Sequence, residues 1–488
     1  MDISSIQFVC FVFCGWLLCM IWPQPVLRTL IFTGMNLAFL FSYTNSVFSL
    51  VPLFLFLLTG FFCVRILARN ASRSLLVLFI VALVAVFVYL KHYSICKCMQ
   101  SLPFDYVTVG LSFILFRLLQ IMYDVYVREI AQPISALDYF NFTCSFLTFV
   151  SGPIQRFQAY QEQKQSFLVF SPTRTDGLGA ASRLLTGYIK ILFLSGIFLA
   201  WQKNSAVYLL NWNNGIVSAT LPAAAYWIIC YACSAASYLL FLYMNFSGYM
   251  DLVIGAGLLF GWKLPENFRH PFAAENFLDF WSRWHITLSN WFKWYLYNPL
   301  LKALVTRRPS HTMLPYWGTA SLFVAFFVMG IWHGTTSAFV FYGLFLGLGA
   351  SVNRLYQIYL PKIIGKERTK ILTALPFYRH MARGMALSYF SLALTCFWLD
   401  ETSFYELLRR IPFWCELASW VILGFVIALL SALYENVAKR LPNWLQEDAI
   451  RLPNGWVASL WFLARAALLA WIILQNRTDI PDFVYKAF

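Results

Sequence analysis

Two histidines sit where an ionisable side chain is expensive. His333 follows seventeen residues, Tyr316 to Trp332, with no charged side chain, and a further apolar run begins almost at once. An ionisable group between two such runs is costly in lipid and usually faces a cavity or a partner. A helix starting at Tyr316 would carry His333 about 25 Å along its axis. His285 lies in "DFWSRWHITLSNWFKWYLYNPL", Asp279 to Leu300, which holds one His, one Arg, one Lys, four Trp and two Tyr. A neutral imidazole accepts a proton from a hydroxyl near neutral pH and later returns it. That chemistry suits acyl transfer from a thioester, because a thiolate leaves easily. A complete Ser-His-Asp set is missing, since Asp251 and Asp279 are far from His333 in sequence. The other histidines are scattered, so a metal site lacks ligands. The structural alternative for His333 is a capping or hydrogen-bonded role.

The elements that would position these residues are membrane helices. The chain has 488 residues, 60% hydrophobic and 12% charged, with a mean hydropathy of +0.66. A soluble chain of this length needs a more charged surface. Long apolar runs recur throughout, which reads as an all-α polytopic membrane protein of about 11–13 transmembrane or re-entrant helices. The short alternating segments of a membrane β-barrel are absent. Candidate spans are 5–22, 26–43, 47–66, 74–92, 106–123, 136–154, 182–201, 219–243, 314–331, 336–356, 384–400, 413–434 and 456–474, two or three of them short or re-entrant. The chain reads as a single membrane domain, 1–488, without internal repeats.

The formal net charge of +15 sits in short loops, as positive-inside topology requires, and excludes a nucleic-acid reading. Arg65, Arg69 and Arg73 mark one cytoplasmic turn. Arg156, Lys164, Arg174 and Arg183 mark a second. The strongest runs from Arg354 to Arg383, with only Glu367 opposing seven cations. Counting spans forward from it places Asp400 to Glu406, and the tail 476–488, on the extracytoplasmic side of a cytoplasmic membrane. Lys91 and Lys97 fit this scheme poorly. Cys230 and Cys233, and Cys96 and Cys98, have no second pair at zinc spacing and read as small apolar side chains. Ile6 to Ile21 lacks a basic n-region and reads as a retained helix.

No apolar run of 20 residues fits between Leu264 and Met313. Polar or irregular backbone survives at membrane depth only when buried in protein or lining a wet cavity. Taken as one helix, Asp279 to Leu300 sets Asp279 four residues before Arg283, and His285 four before Ser289. It also draws Trp281, Trp284, Leu288, Trp291, Tyr295 and Leu296 into an apolar stripe. That pattern alone describes an interfacial amphipathic helix anchored by Trp and Tyr.

In order and spacing, "NFSGYMDLVIGAGLLFGWKLPENFRHPF", "FWSRWHITLSNWFKWYLYNPL" and "GIWHG" resemble the membrane-bound O-acyltransferase family, in its bacterial branch that acylates cell-envelope polymers. "SGPIQRF" (Ser151 to Phe157) and "VGLSFILFRLLQIMYDVY" before it extend the resemblance over roughly residues 105–350. The resemblance implies a ring of transmembrane helices around a thinned centre pierced by a tunnel. It assigns His333 as the membrane-embedded catalytic base and His285 as the second motif histidine, on the donor path. Arg283, Asn267, Trp332 and Ser289 would bind substrate. No cofactor would be bound. An acyl-CoA or acyl-carrier-protein thioester would donate the acyl group, and an envelope polysaccharide would accept it through an extracytoplasmic partner protein. Acetyl is the first expectation and D-alanyl transfer to teichoic acid the alternative. "KWYLYNPLLK" lacks the acidic residue and both glycines of the alginate-acetylating pattern, and "SGPIQRF" leans toward the D-alanylating branch. "PDFVYKAF" resembles the aromatic tail of that branch, so Tyr485 would dock the partner or hold the acyl group briefly. A transporter or polymer-export channel is the reading from another class; the inverted repeats such proteins often show are absent.

Overall fold

The computed structural model describes residues 1–44, 46–94, 102–210, 221–438 and 456–474, and among them the chain is helical throughout. Seven described helical stretches are long and apolar enough to cross a membrane: Val47–Arg69, Arg73–Leu90, Asp176–Leu209, Ala224–Leu259, Leu314–Trp332, Ala338–Ile364 and Phe413–Val437. Ile6–Ile21 and Pro25–Phe41 are shorter apolar helices. The polytopic reading therefore holds. The pair Cys96 and Cys98, together with Lys97, lies outside the described residues, while Cys230 and Cys233 are free thiols.

Two of the basic turns meet at one basic face, since Arg183 and Arg354 line one cavity. Arg183 and Lys190 pair with Asp251, Lys164 with Asp138, Arg156 with Asp124, and Arg379 and Arg383 with Glu435. Lys91 follows Leu90, at the other end of the helix that begins with Arg73.

Two expected elements are broken, and both breaks shape the interior. The 136–154 run is no span. Its helix, Ala136–Thr143, stops after eight residues, and the chain turns back through Gly152-Pro153 to the Phe157–Leu168 helix. Carbonyls exposed by such a stop need donors in an apolar interior. Arg117, 2% exposed, supplies them from the Leu111–Tyr126 helix. Its guanidinium donates to the carbonyls of Phe142 (3.0 Å), Thr143 (2.6 Å) and Thr148, and to the Thr148 hydroxyl (2.7 Å).

The continuous helix expected over 279–300 is also interrupted. Phe277–Trp281 is one short helix, His285 adopts φ +44°, and Ile286–Phe292 is a second helix. A wide turn at Lys293–Tyr297 leads into Asn298–Arg307. Arg269 N donates to the Arg283 carbonyl at 2.9 Å, and Phe268 bridges Trp284. The strand-like pairing of 268–269 with 283–284 competes with helix and wins locally.

Glycines allow a close helix approach beside His333. A Cβ on Gly330 would lie 2.2 Å from Gly343 Cα, so Leu314–Trp332 and Ala338–Ile364 meet backbone to backbone just before His333. Close backbone contact through small residues is the common route to tight association in lipid. Gly330→Leu should lower the unfolding temperature of the detergent-purified protein and reduce activity. Gly34→Ala, with nothing within 4 Å of the added carbon, should leave both unchanged.

Candidate functional site

His333 caps the C-terminus of Leu314–Trp332 and is 2% exposed. Its Nδ1 lies 2.6 Å from the Met329 carbonyl. A carbonyl only accepts, so the proton sits on Nδ1 and the ring's lone pair on Nε2. The ring is held among Trp332, Tyr342 and Phe397, with centroids at 5.0, 5.4 and 5.6 Å. Packing and one hydrogen bond therefore fix both its tautomer and its orientation.

His285 is fully buried, its ring 4.8 Å from that of Phe246. The left-handed turn at His285 leaves the following helix without a side-chain cap from its own first residue. Asn267 supplies one instead. Its Oδ1 accepts from Thr287 N (3.0 Å) and Thr287 Oγ1 (2.8 Å), and its backbone carbonyl accepts from Ile286 N (3.0 Å). Ile154 N then donates to Thr287 Oγ1 at 3.1 Å. The "SGPIQRF" turn, Asn267 and the His285 segment, over 130 residues apart at the extremes, form one hydrogen-bonded unit.

An aromatic link joins this unit to His333. Trp291 donates from Nε1 to the Phe116 carbonyl at 3.2 Å. The Phe116 ring lies 4.3 Å from Trp291 and 4.7 Å from Trp332. The two histidine motifs thus pack on the same turn of Leu111–Tyr126.

A cavity of about 1220 Å³ opens beside both motifs. Gly318, Leu322, Phe326 and Met329 line it along one face of Leu314–Trp332, about 16 Å of helix axis. His333 is the next residue on that face, one turn past Met329. Ile286 and Ser289 line the opposite wall, directly after His285. The lining also carries Arg183, Lys190, Arg269, Lys293 and Arg354 against the carboxylates of Asp251 and Glu266, so cations are in excess. Lys190 and Lys293 both stand in wide π-turns, Ile189–Ser195 and Lys293–Tyr297. Such turns re-aim side chains and recur at functional sites. Gly187 and Gly248, where an added Cβ would lie within 3 Å of the facing backbone, let the helices close enough for Lys190 to reach Asp251 at 2.7 Å.

The residues named from sequence fare differently. Ser289 lines the cavity; Arg283, Asn267 and Trp332 do not. Arg283 pairs with Asp279 at 2.9 Å, as its four-residue spacing suggests. Asn267 spends its side chain on Thr287 and on Met250 Sδ (3.3 Å). Trp332 is packed on Phe113 and Phe116. His285 and Ser289 meet through a helical backbone bond. Tyr485 lies outside the described residues. The cavity cations Lys190 and Arg269 went unnoticed in sequence, Lys293 was read only as a polar residue of the Asp279–Leu300 stretch, and Arg183 and Arg354 only as loop charge. The missed signal was their position beside the polar region without a span.

Residues 26–390 match the family model described as MBOAT, membrane-bound O-acyltransferase family. The chain belongs to the membrane-bound O-acyltransferase family. It is 28% identical over 246 residues to a probable alginate O-acetylase of Pseudomonas fluorescens, covering 50% of this chain and 44% of that one. It is 43% identical over 128 residues to a peptidoglycan O-acetyltransferase of Helicobacter pylori, covering 25% and 22%. It is 27% identical over 245 residues to a teichoic acid D-alanyltransferase of Bacillus subtilis, covering 49% and 56%. The chain thus spans about half or less of the length of these relatives.

Proposed function

We infer that the protein transfers an acetyl group from a thioester donor to a hydroxyl of an envelope glycan. The carrying observation is the position of His333, its proton on Nδ1, one turn beyond the last residue lining the cavity on the same helix face. The cavity reaches the basic face, which positive-inside topology assigns to the cytosol of a cytoplasmic membrane. Its excess of cations suits the phosphates of coenzyme A or of a carrier protein's prosthetic arm.

In this reading the donor enters from the basic face with its thioester carbonyl toward His333. The acceptor hydroxyl comes from the far side. His333 Nε2 takes the hydroxyl proton as the oxygen attacks the carbonyl carbon, and the C–S bond breaks to release a thiolate, which takes up a proton. Asn267 and His285 position the wall that faces His333. An extracytoplasmic partner, with the C-terminal tail as a docking segment, would complete delivery to the polymer.

Acetyl is favoured over D-alanyl because the segment of 43% identity falls to a peptidoglycan O-acetyltransferase. The D-alanyl reading rests on the Bacillus relative and on "SGPIQRF". Deleting the gene and releasing envelope esters with mild base decides between them. Loss of acetate from the glycan fraction is expected. Loss of D-alanine in its place reassigns the acyl group, and unchanged release of both overturns the acyltransferase reading.

A further inference from the structure

A second cavity, of about 810 Å³, lies on the other side of the Phe277–Trp281 helix. Phe277 lines it, while Leu278 and Trp281 line the first cavity. Three features define what fits it. The first is its mouth. Leu348 and Val352, on its wall, are 49% and 62% exposed, on a helix that crosses the membrane. Leu348 lies ten residues from the helix start at Ala338, about 15 Å along the axis and so within a hydrocarbon layer of about 30 Å. A water-soluble ligand has no path to such an opening, whereas a lipid tail does.

The second feature is the lining, which is largely apolar in its depth: Ala382, Met385, Ala386 and Trp420 face it. The third is the charge at its rim on the basic face. Arg379 lines the cavity, and the short helix Lys366–Ala374 contributes Thr369 and Thr373 to it. That helix carries Lys366, Arg368 and Lys370 against Glu367 alone. Arg379 is held between Glu435 at 3.4 Å and Glu275 at 3.9 Å, so the uncompensated charge at the rim is that of the helix. Its cations stand there for a phosphate oxygen.

We propose that this cavity holds one acyl chain of an anionic glycerophospholipid, with the headgroup phosphate at the basic Lys366–Ala374 helix. The site differs from the donor cavity in entrance, polarity and ligand, and shares with it two walls, the Phe277–Trp281 and Ala338–Ile364 helices. It stands whether or not the acyl group assigned above is right.

The test uses the full chain, purified in detergent and incubated with phosphatidylglycerol or phosphatidylcholine before native mass spectrometry. One retained phosphatidylglycerol per chain is expected, several-fold above phosphatidylcholine. V352W at the mouth and A382W in the interior should abolish retention. V426W, on the exposed side of the Phe413–Ala438 helix (Val426 is 47% exposed), should keep it. K366Q, R368Q and K370Q together should retain lipid but level the preference. Equal retention of the two lipids by the wild-type protein overturns the proposal, as does full retention in V352W. Val352 points outward, so V352W gives an answer even where A382W fails to fold.

Discussion

Replacing His333 by asparagine should abolish envelope acylation while the protein stays inserted and folded. Asparagine keeps a donor near the position of Nδ1, so the bond to the Met329 carbonyl can survive. It has no lone pair at the place of Nε2. A positioned general base is worth about 10²–10⁴-fold in rate, and residual transfer should fall by that much. Mass analysis of released esters, with protein abundance checked in the membrane fraction, reads both quantities. Wild-type ester levels in H333N would remove the base from the mechanism. A loss matched by equal disappearance of protein would make His333 a structural cap. His333→Ala tests the same point less cleanly, because it also opens space between Trp332, Tyr342 and Phe397.

Arg117→Met should unfold the interior rather than disable a reaction step. Methionine fills part of the volume but donates nothing. Three carbonyls and a threonine hydroxyl around residues 142–148 then lose their donor where water is excluded. Each buried acceptor left bare costs about 1–3 kcal/mol, so the combined loss is several kcal/mol. Thermal unfolding in detergent should shift strongly downward, and membrane abundance should drop. Arg117→Lys should fall between, since one ammonium cannot span the three carbonyls. The effect should reach the active centre, because Ile154 at the end of this turn donates to Thr287 beside His285. An R117M protein with wild-type unfolding temperature would show that something else holds the turn.

These two residues mark where the sequence was readable and where it was not. Hydropathy placed Ile6–Ile21, Pro25–Phe41, Arg73–Leu90 and Leu314–Trp332 within a few residues, because lipid demands a long apolar run with its backbone bonded internally. It failed at 136–154, where the run is long enough but Arg117, on another helix, satisfies the carbonyls of a turn. No local window contains that partner. It failed again at His285. The helical period holds from Ile286 to Phe292 and is lost in the wide turn at Lys293–Tyr297, and the break at His285 depends on Asn267, eighteen residues upstream. Asp279 and Arg283 were legible because their pairing is local. Arg269, Lys293 and Arg354 were not, because a cation in a loop and a cation lining a cavity look alike until the chain is folded.

The half-depth segments also impose an order on biogenesis. Ala136–Thr143 has eight residues, Phe277–Trp281 five and Ile286–Phe292 seven, whereas about 20 apolar residues are needed to partition into the bilayer alone. None can be inserted by its own hydrophobicity as it leaves the ribosome. Each must wait near the surface until its neighbours supply walls, and for the His285 segment the facing wall, Leu314–Trp332, is synthesised later. A nascent chain arrested before Leu314 should therefore hold His285 open to water-soluble labelling reagents, with burial arriving only once His333 is in place.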